Sequence, residues 1–346
     1  MKIACFSDTH YNFRKNSKLF HDYFKTFYDD VFFPTLDQQG IKTVVHMGDV
    51  FDTRQGIDYA ALAWAKDNVF DQFQNRNIDL HLIVGNHDSY YKNTNHINSL
   101  DLLLREYDNV TVYSDPTEVR FGNLGVLMVP WINIESEEHT MNMISQTDCP
   151  VVMGHLELNG FVPHKGHVMN EGRDPSPFNK FQKVFSGHYH TRSDNGKIFY
   201  IGNPYEMIFS DMNDDRGFII FDTDTLDHEY INNPHRMHYS IYYEDNPHSQ
   251  LNTSLYDNKI LRLIIRKKNN IGNFDAYLAK LYSSNIAEIK IIESGIDDYS
   301  EFDESLESED TMTLLQKFID DGSVSLNKDI LKNIINEIHR EAMELI

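Results

Sequence analysis

The chain has 346 residues, enough for about two domains at roughly 150 residues each, and its 40% hydrophobic and 24% charged residues exclude a globally disordered polymer. With 31 Lys and Arg against 53 Asp and Glu, the formal charge is −22. Such a balance argues against a free-standing electrostatic binder of nucleic acid or anionic membrane, but leaves room for a phosphate substrate where bound cations supply local positive charge.

Along the first two-thirds one local pattern recurs. A short apolar, β-branched run ends abruptly in polar residues, often after Gly. Residues 3–6 lead to Ser7-Asp8-Thr9-His10, 44–47 to Gly48-Asp49, and 80–84 to Gly85-Asn86-His87-Asp88. Residues 151–153 lead to Gly154-His155, 184–185 to Ser186-Gly187-His188-Tyr189-His190, and 198–201 to Gly202-Asn203-Pro204. Helices are expected over 18–33 and 59–74, and a third is expected to end over 101–107. From Val110 the pattern turns hairpin-like, with Asp115-Pro116 and Gly122-Asn123 as turn signals. The fold class is therefore α/β, strands inside and helices outside, with the site beyond the carboxyl ends of the strands.

A second region starts near Asn232-Asn233-Pro234, with a strand over 260–266, a helix over 274–282 and a strand over 286–292, a small β-α-β unit. Residues 295–310 hold eight acids and no base, the composition of a solvated linker. Beyond them Ile330, Leu331, Ile334, Ile335 and Ile338 recur at helical spacing after the candidate cap Asn327. Two isolated cysteines, Cys5 and Cys149, make no disulfide framework. No signal peptide and no apolar run of about 18 residues is visible, so a soluble intracellular protein is expected.

The polar residues after the strands carry chemistry. Asp8 and His10 alternate at a strand end and are expected to point to one side. Asp49 follows a Gly that lets the backbone turn. Asn86 offers an amide oxygen, and His155, His188 and His190 offer imidazole nitrogens. Seven mixed O and N donors exceed what one ion usually takes; a pair sharing a bridging carboxylate uses them all, and such donors suit Mn²⁺, Fe²⁺ or Zn²⁺. Two metals about 3.5–4 Å apart stabilise the attacking and leaving oxygens of phosphoester hydrolysis. His46 and His81, inside strands, read as packed or hydrogen-bonded, and the remaining histidines, among them His21 and His238, as solvated.

Asp8-x-His10, Gly48-Asp49-x-x-Asp52, Gly85-Asn86-His87-Asp88, Gly154-His155 and Gly187-His188-x-His190 resemble the five motifs of the calcineurin-like metallophosphoesterases, over about residues 1–230. The resemblance implies a metallophosphoesterase β-sandwich flanked by helices. It implies two divalent metal ions, foremost Mn²⁺, with Mg²⁺, Fe²⁺ or Zn²⁺ as alternatives. One ion takes Asp8, His10, Asp49 and His190, and the other takes Asp49, Asn86, His155 and His188. His87 is then not a ligand but reaches the scissile phosphate and acts in catalysis, while Asp88 orients its imidazole and favours its charged form. Asp52, where some relatives carry a catalytic His, reads as support for the metal loop.

Gly48-Asp49-Val50-Phe51-Asp52, Tyr200-Ile201-Gly202-Asn203-Pro204 and Asp215-Arg216-Gly217-Phe218 are similar to the SbcD-like recombination nucleases, and Tyr91-Lys92-Asn93 and Gly154-His155-Leu156-Glu157-Leu158-Asn159-Gly160 to the recombination endonuclease subunits of T-even-type phages. This narrower resemblance implies a Mn²⁺-dependent DNA exonuclease and endonuclease over 1–232 and a capping domain over 233–294. After the acidic linker over 295–310, it implies a helical segment over 311–346 that docks on an SbcC-like coiled-coil ATPase. It also implies a homodimer, located in the cytoplasm, the host's if phage-encoded. Two alternatives stay open: a small-substrate phosphodiesterase or phosphatase, disfavoured by the extra C-terminal residues and by Thr53 where protein phosphatases place Arg, and an inert scaffold for the ATPase, disfavoured by seven intact ligands. Arg54, Tyr91, Lys92 and Lys165 lie near the motif loops and read equally as DNA contacts or ordinary exposed residues.

Overall fold

The computed structural model describes residues 1–165, 168–267 and 271–293. Strand β1 (Lys2–Phe6) opens a sheet that β2 (Thr43–His46), β3 (Asp79–Ile83) and β4 (Val110–Tyr113) extend in parallel. In a second sheet β5 (Thr117–Phe121) and β6 (Leu124–Val129) pair antiparallel. There β7 (Val151–His155) and β8 (Lys183–Gly187) add in parallel, and β9 (Ser193–Asp194) and β10 (Ile198–Tyr200) complete the far edge. Then β11 (Gly217–Asp222) and β12 (His228–Asn232) return antiparallel to the open side of β1. The strand orders are β12-β11-β1-β2-β3-β4 and β5-β6-β7-β8-β10-β9.

The two sheets bury one shared core. Ile3, Cys5, Val45 and Met47 of the first join Val126, Met128, Met153 and Phe185 of the second. Ala4, Phe6, Val44 and Leu80 turn the opposite way, into a cluster with the helices. Strands covered on both faces need apolar residues at every position, so they stand in the sequence as unbroken runs rather than alternating ones.

Helix α1 (Lys18–Phe27) passes through π-helical residues Tyr28–Phe32 into α2 (Phe33–Gln39), so the helix expected over 18–33 continues to Gln39. Gly40, at φ +66°, ends it in the left-handed conformation that glycine adopts without strain. Likewise α3 (Tyr59–Ala65) continues through Lys66–Phe70 into α4 (Asp71–Asn75), started by Asp58, whose Oδ1 accepts the Ala60 N–H at 2.8 Å. The third helix, α5 (Ser99–Leu103), stops short of Tyr107, because the chain turns there, Tyr107 N–H bonding Leu104 O at 3.1 Å, to feed β4. On the outer side of the second sheet, α6 (Glu137–Gln146) contributes Ile144 to a cluster with Leu127 and Val152.

The expected succession of hairpins after Val110 holds only in part. Strand β4 pairs with β3, not β5, and Asp115-Pro116 carries the chain from one sheet to the other. Only β5 and β6, joined at Gly122 with φ +62°, make a hairpin.

Past Asn233, β13 (His238–Tyr242) and β14 (Ile260–Ile265) run parallel, and α7 (Ile271–Tyr282) leads to the parallel β15 (Glu288–Glu293). The predicted β-α-β unit is present, with β13 added at its edge. Leu261, Leu263, Phe274 and Tyr277 form its core. It is seated on the larger body by Glu206, which accepts the Met237 and His238 N–H groups at 2.9 and 2.8 Å, and by an Arg14–Glu288 ion pair at 3.0 Å. The acidic segment 295–310 and the helix expected after Asn327 lie outside the described residues. Among the described residues no helix is long and apolar enough to cross a membrane.

Candidate metal centre

Five strands bring their carboxyl ends to one place: β1 delivers Asp8 and His10, β2 Asp49, β3 Asn86, β7 His155, and β8 His188 and His190. The expected strand alternation of Asp8 and His10 is not how they get there. β1 ends at Phe6, and Asp8 (φ 54°) and His10 (φ 44°) stand in the left-handed region, as do Asp49 (φ 57°) and His188 (φ 83°). For non-glycine residues this costs about 1–3 kcal/mol each, and such strain collects at functional sites. Main-chain bonds hold it: Asp8 N–H to Gly48 O at 3.0 Å, His10 N–H to Asp49 O at 3.2 Å and Tyr11 N–H to Val50 O at 3.0 Å. Gly48 has φ +94°, and a Cβ there would collide with the His155 ring. The glycine before Asp49 therefore does what the sequence suggested, and also makes room for a ring from another strand.

The expected donors fall into two groups, and His10 also clusters with Asp52 and His87. In the first, Asp8, His10 and His190 bring one ligand atom each within 4.8 Å of one another, with His10 Nε2 3.2 Å from His190 Nε2. In the second, Asp49, His155 and His188 do the same. His155 Nε2 is 3.3 Å from Asp49 Oδ2, and Asn86 Oδ1 is 2.8 Å from His155 Nε2 and 3.0 Å from His188 Nδ1. The groups are linked: the His188 N–H lies 3.1 Å from both Asp8 oxygens, and the charge of Asp49 reaches His10.

The buried acids set the electrostatics. Burial works against a charge on His10, but Asp52, Asp49 and Asp8 outweigh it and raise its pKa to about 9. His155 is raised to about 9 in the same way by Asp49 and Asp8, against its own burial. Asp49, buried as it is, is held well below the ordinary carboxylate range by His155 and His87. Three carboxylates thus pull protons onto imidazoles in a dry pocket, a demand for positive charge that bound cations meet directly. The donors are carboxylate, amide and imidazole, with no thiolate, and this set fits divalent cations of the Mn²⁺, Fe²⁺ or Zn²⁺ kind.

Neighbouring groups aim the donors. His155 Nδ1 lies 2.7 Å from Met47 O, so the ring donates there and Nε2 is the nitrogen turned toward Asp49 and Asn86. Asp52 Oδ1 is 3.2 Å from His10 Nδ1, which agrees with its expected part in supporting the loop. The buried Arg216 donates to the main-chain oxygen of His190 and to Asn203 Oδ1, and is itself held by Asp211 and Asp214, each at 2.9 Å. The Gly202-Asn203-Pro204 and Asp215-Arg216-Gly217 stretches, which in the sequence carry only a resemblance, thereby acquire a physical task.

Asp88 does not do what was expected. Its carboxylate accepts the N–H groups of Asp49 (2.8 Å), Val50 (3.0 Å), Phe51 (3.4 Å) and Gly85 (2.9 Å), so it clamps the Asp49 loop instead of orienting His87. Burial, with Asp49 beside it, pushes its pKa up to about 7. The partner of His87 is instead the main-chain oxygen of Asp52, 2.5 Å from Nδ1, and burial lowers the pKa of the ring rather than favouring its charged form. The His87 ring lies 5.0 Å from that of His10.

His46 is buried between Thr9 Oγ1 (2.9 Å) and the Gly48 N–H (3.2 Å), and His81 bonds the Tyr113 hydroxyl at 2.7 Å, as expected of packed histidines. His21 and His238, expected to be solvated, are buried, stacked on Trp64 at 4.7 Å and against Phe209 at 4.8 Å.

The calcineurin-like phosphoesterase family matches residues 1–192. The chain is 32% identical over 312 residues to exonuclease subunit 1 of Enterobacteria phage T4, covering 89% of this chain and 89% of that protein. Among solved structures it is similar to an archaeal phosphodiesterase at 15% identity and a TM-score of 0.35, over 67% of this chain and 100% of that one. The family match takes in more than half of the chain and, within it, every donor of both groups, so this chain belongs to the calcineurin-like phosphoesterases.

Proposed function

We propose that the chain is the nuclease subunit of an SbcCD-like recombination and repair complex, a Mn²⁺-dependent exonuclease and endonuclease acting on DNA phosphodiester bonds. The observation that carries this reading is the pair of donor groups at the strand ends, linked through Asp8, Asp49 and His188. A nuclease is favoured over a small-diester enzyme because similarity to a protein named exonuclease subunit 1 extends over 89% of the chain, well past the phosphoesterase match.

In this reading Asp8, His10, Asp49 and His190 hold one ion, and Asp49, Asn86, His155 and His188 the other. When bound, the ions supply the charge that polarises the phosphodiester and eases ionisation of an attacking water. The chain's own contribution is orientation and proton handling. Met47 O and Asp52 aim His155 and His10. His87, anchored by Nδ1, has Nε2 left for substrate; the charge of a bound phosphate opposes the effect of burial, so that the ring takes its second proton at Nε2 and donates it to the departing oxygen. We assign the nuclease body to 1–232, a cap to 233–294, a linker to 295–310 and the docking of an SbcC-like ATPase to 311–346. The assembly is a homodimer in the cytoplasm, the host's if phage-encoded.

Incubation with Mn²⁺ and labelled linear duplex, beside a small chromogenic diester, tests the reading. Cleavage of DNA is expected; hydrolysis of the diester alone would return the small-substrate alternative.

A further inference from the structure

Two exposed tyrosines come directly after the centre in the chain. Tyr90 and Tyr91 are 40% and 50% exposed, their rings edge to face at 82° with centroids 4.7 Å apart, so that each offers its own face, and Ile97 and Ile134 are also exposed, at 47% and 84%. Half-exposed rings clustered on one loop next to a site are a candidate binding surface.

The presentation is fixed by buried polar groups. Ser89 and Asn98 form an antiparallel bridge, and the Tyr90 N–H bonds Ile97 O at 2.9 Å. Buried Asn95 accepts from Ser89 Oγ and donates to Trp131 O, both at 2.8 Å. The Asp88 carbonyl accepts the Ser99 N–H at 2.9 Å, and the Glu135 N–H reaches Asn93 O at 3.4 Å. The Trp131 ring lies 5.1 Å from that of His188. The loop over 89–98 is thus tied rigidly to the donor strands at one end and, through Trp131, to the second donor group.

We propose that Tyr90 and Tyr91 each offer a ring face as a stacking platform for unpaired nucleobases of the strand being cut; this rests on the DNA nuclease reading. The occupant is set by charge. At −22 the chain as a whole does not attract a nucleic acid by its phosphates, and between Ser89 and Asn98 Lys92 is the one Lys or Arg. Stacking on the faces of bases needs no net positive charge, and aromatic side chains supply it without regard to sequence. Paired bases hide their faces inside the duplex. The platform therefore selects single strands and frayed ends over duplex interiors.

The experiment compares the full-length chain with Tyr90→Ala/Tyr91→Ala and Tyr90→Phe/Tyr91→Phe, with Mn²⁺ and a single-stranded oligonucleotide carrying one fluorescent aminopurine base near the cleaved bond. Stacking quenches that base. The Ala variant should raise KM by about tenfold or more while kcat and metal content hold, and should lose the quenching. The Phe variant, which keeps both rings, should restore both. Wild-type KM and quenching in the Ala variant would overturn the platform, as would loss confined to kcat. Conversion of a dimer to a monomer by the Ala variant in sedimentation, with quenching kept, would assign the patch to a second copy of the chain and overturn it too. A wild-type chain that cleaves no DNA removes the nuclease reading itself, an outcome separable from all of these.

Discussion

The His87 ring is fastened through Nδ1 to the main-chain oxygen of Asp52, 2.5 Å away, and not to the carboxylate of the adjacent Asp88. Asp52 thereby serves two rings at once, its carbonyl fixing His87 and its carboxylate lying 3.2 Å from His10 Nδ1. His87 belongs to neither four-donor set proposed for the ions. His87→Ala should leave metal content unchanged and lower turnover by ~10²-fold or more, the usual cost of losing a positioned acid or charge stabiliser. Metal analysis and single-turnover rates on the same preparation check this; a fall in metal content would make His87 a ligand.

Asp49 ties the second donor group to the His87 loop. Oδ2 lies 3.3 Å from His155 Nε2, and Oδ1 accepts the His87 N–H at 2.8 Å. Asp49→Ala should abolish activity and lower occupancy at both metal positions, measured by elemental analysis. Retention of two ions with normal turnover removes the proposed bridging role.

Asp88, with four main-chain donors on its carboxylate, is a fold-stability residue whose loss reaches the metals indirectly. Asp88→Ala leaves buried N–H groups without partners at roughly 1–3 kcal/mol each, so a loss of about 3 kcal/mol or more is expected. Denaturant unfolding measures it. A variant of wild-type stability with reduced turnover would return Asp88 to a direct part in catalysis.

The strand-then-ligand pattern was legible because strands buried on both faces must be apolar throughout, which leaves each donor visible as the first interruption. The backbone of the loops beyond the strands was less legible. Asp8, His10 and His188 carry no sign of their left-handed backbone, since the long-range bonds that hold it, such as Asp8 N–H to Gly48 O, are made only after folding. Asp88 misled for a related reason. Its neighbour in sequence is His87, but its partners are amides of the loop that carries Asp49. Asp115-Pro116 signals a turn whether the chain doubles back or changes sheets, so β4 was placed in the wrong pair. Arg216 stood in the sequence only as part of a resemblance; its task appears only once His190, Asn203 and Asp211 surround it.

His46 should make stability fall in acid. Its Nδ1 accepts the Gly48 N–H and its other nitrogen faces Thr9 Oγ1, so the folded protein holds the ring neutral, and burial lowers its pKa to about 3. The unfolded chain takes up this proton near pH 6.5. Between pH 6.5 and about 3 the unfolded state binds more protons, and stability drops as pH falls, by at most about 1.4 kcal/mol per unit from this group. His46→Gln, whose amide can still face both partners, should flatten that part of the profile. Urea unfolding of both proteins across this range gives the difference; parallel profiles would mean that His46 titrates alike in both states.

The C-terminal segment has the composition of a tethered docking element. Eight acids and no base over 295–310 cannot bury enough apolar surface to order themselves alone. After them the spacing of Ile330, Leu331, Ile334, Ile335 and Ile338 is that of one apolar stripe if the segment is helical, with Lys328, Asp329 and Lys332 largely off it. A stripe of this kind needs a groove, and a solvated tether suits an element that meets another chain. Among the described residues, Leu261, Leu263, Phe274 and Tyr277 form the core of the smaller sheet. A chain ending at Ser294 should fold, keep Mn²⁺-dependent cleavage of short DNA, and lose association with an SbcC-like ATPase. Co-purification and a nuclease assay decide between three cases. If cleavage persists without association, the stripe is the docking element. If the shortened chain still binds the ATPase, docking resides on the body or the cap. If it fails to fold, the stripe packs against its own chain, which is the usual fate of an amphipathic helix.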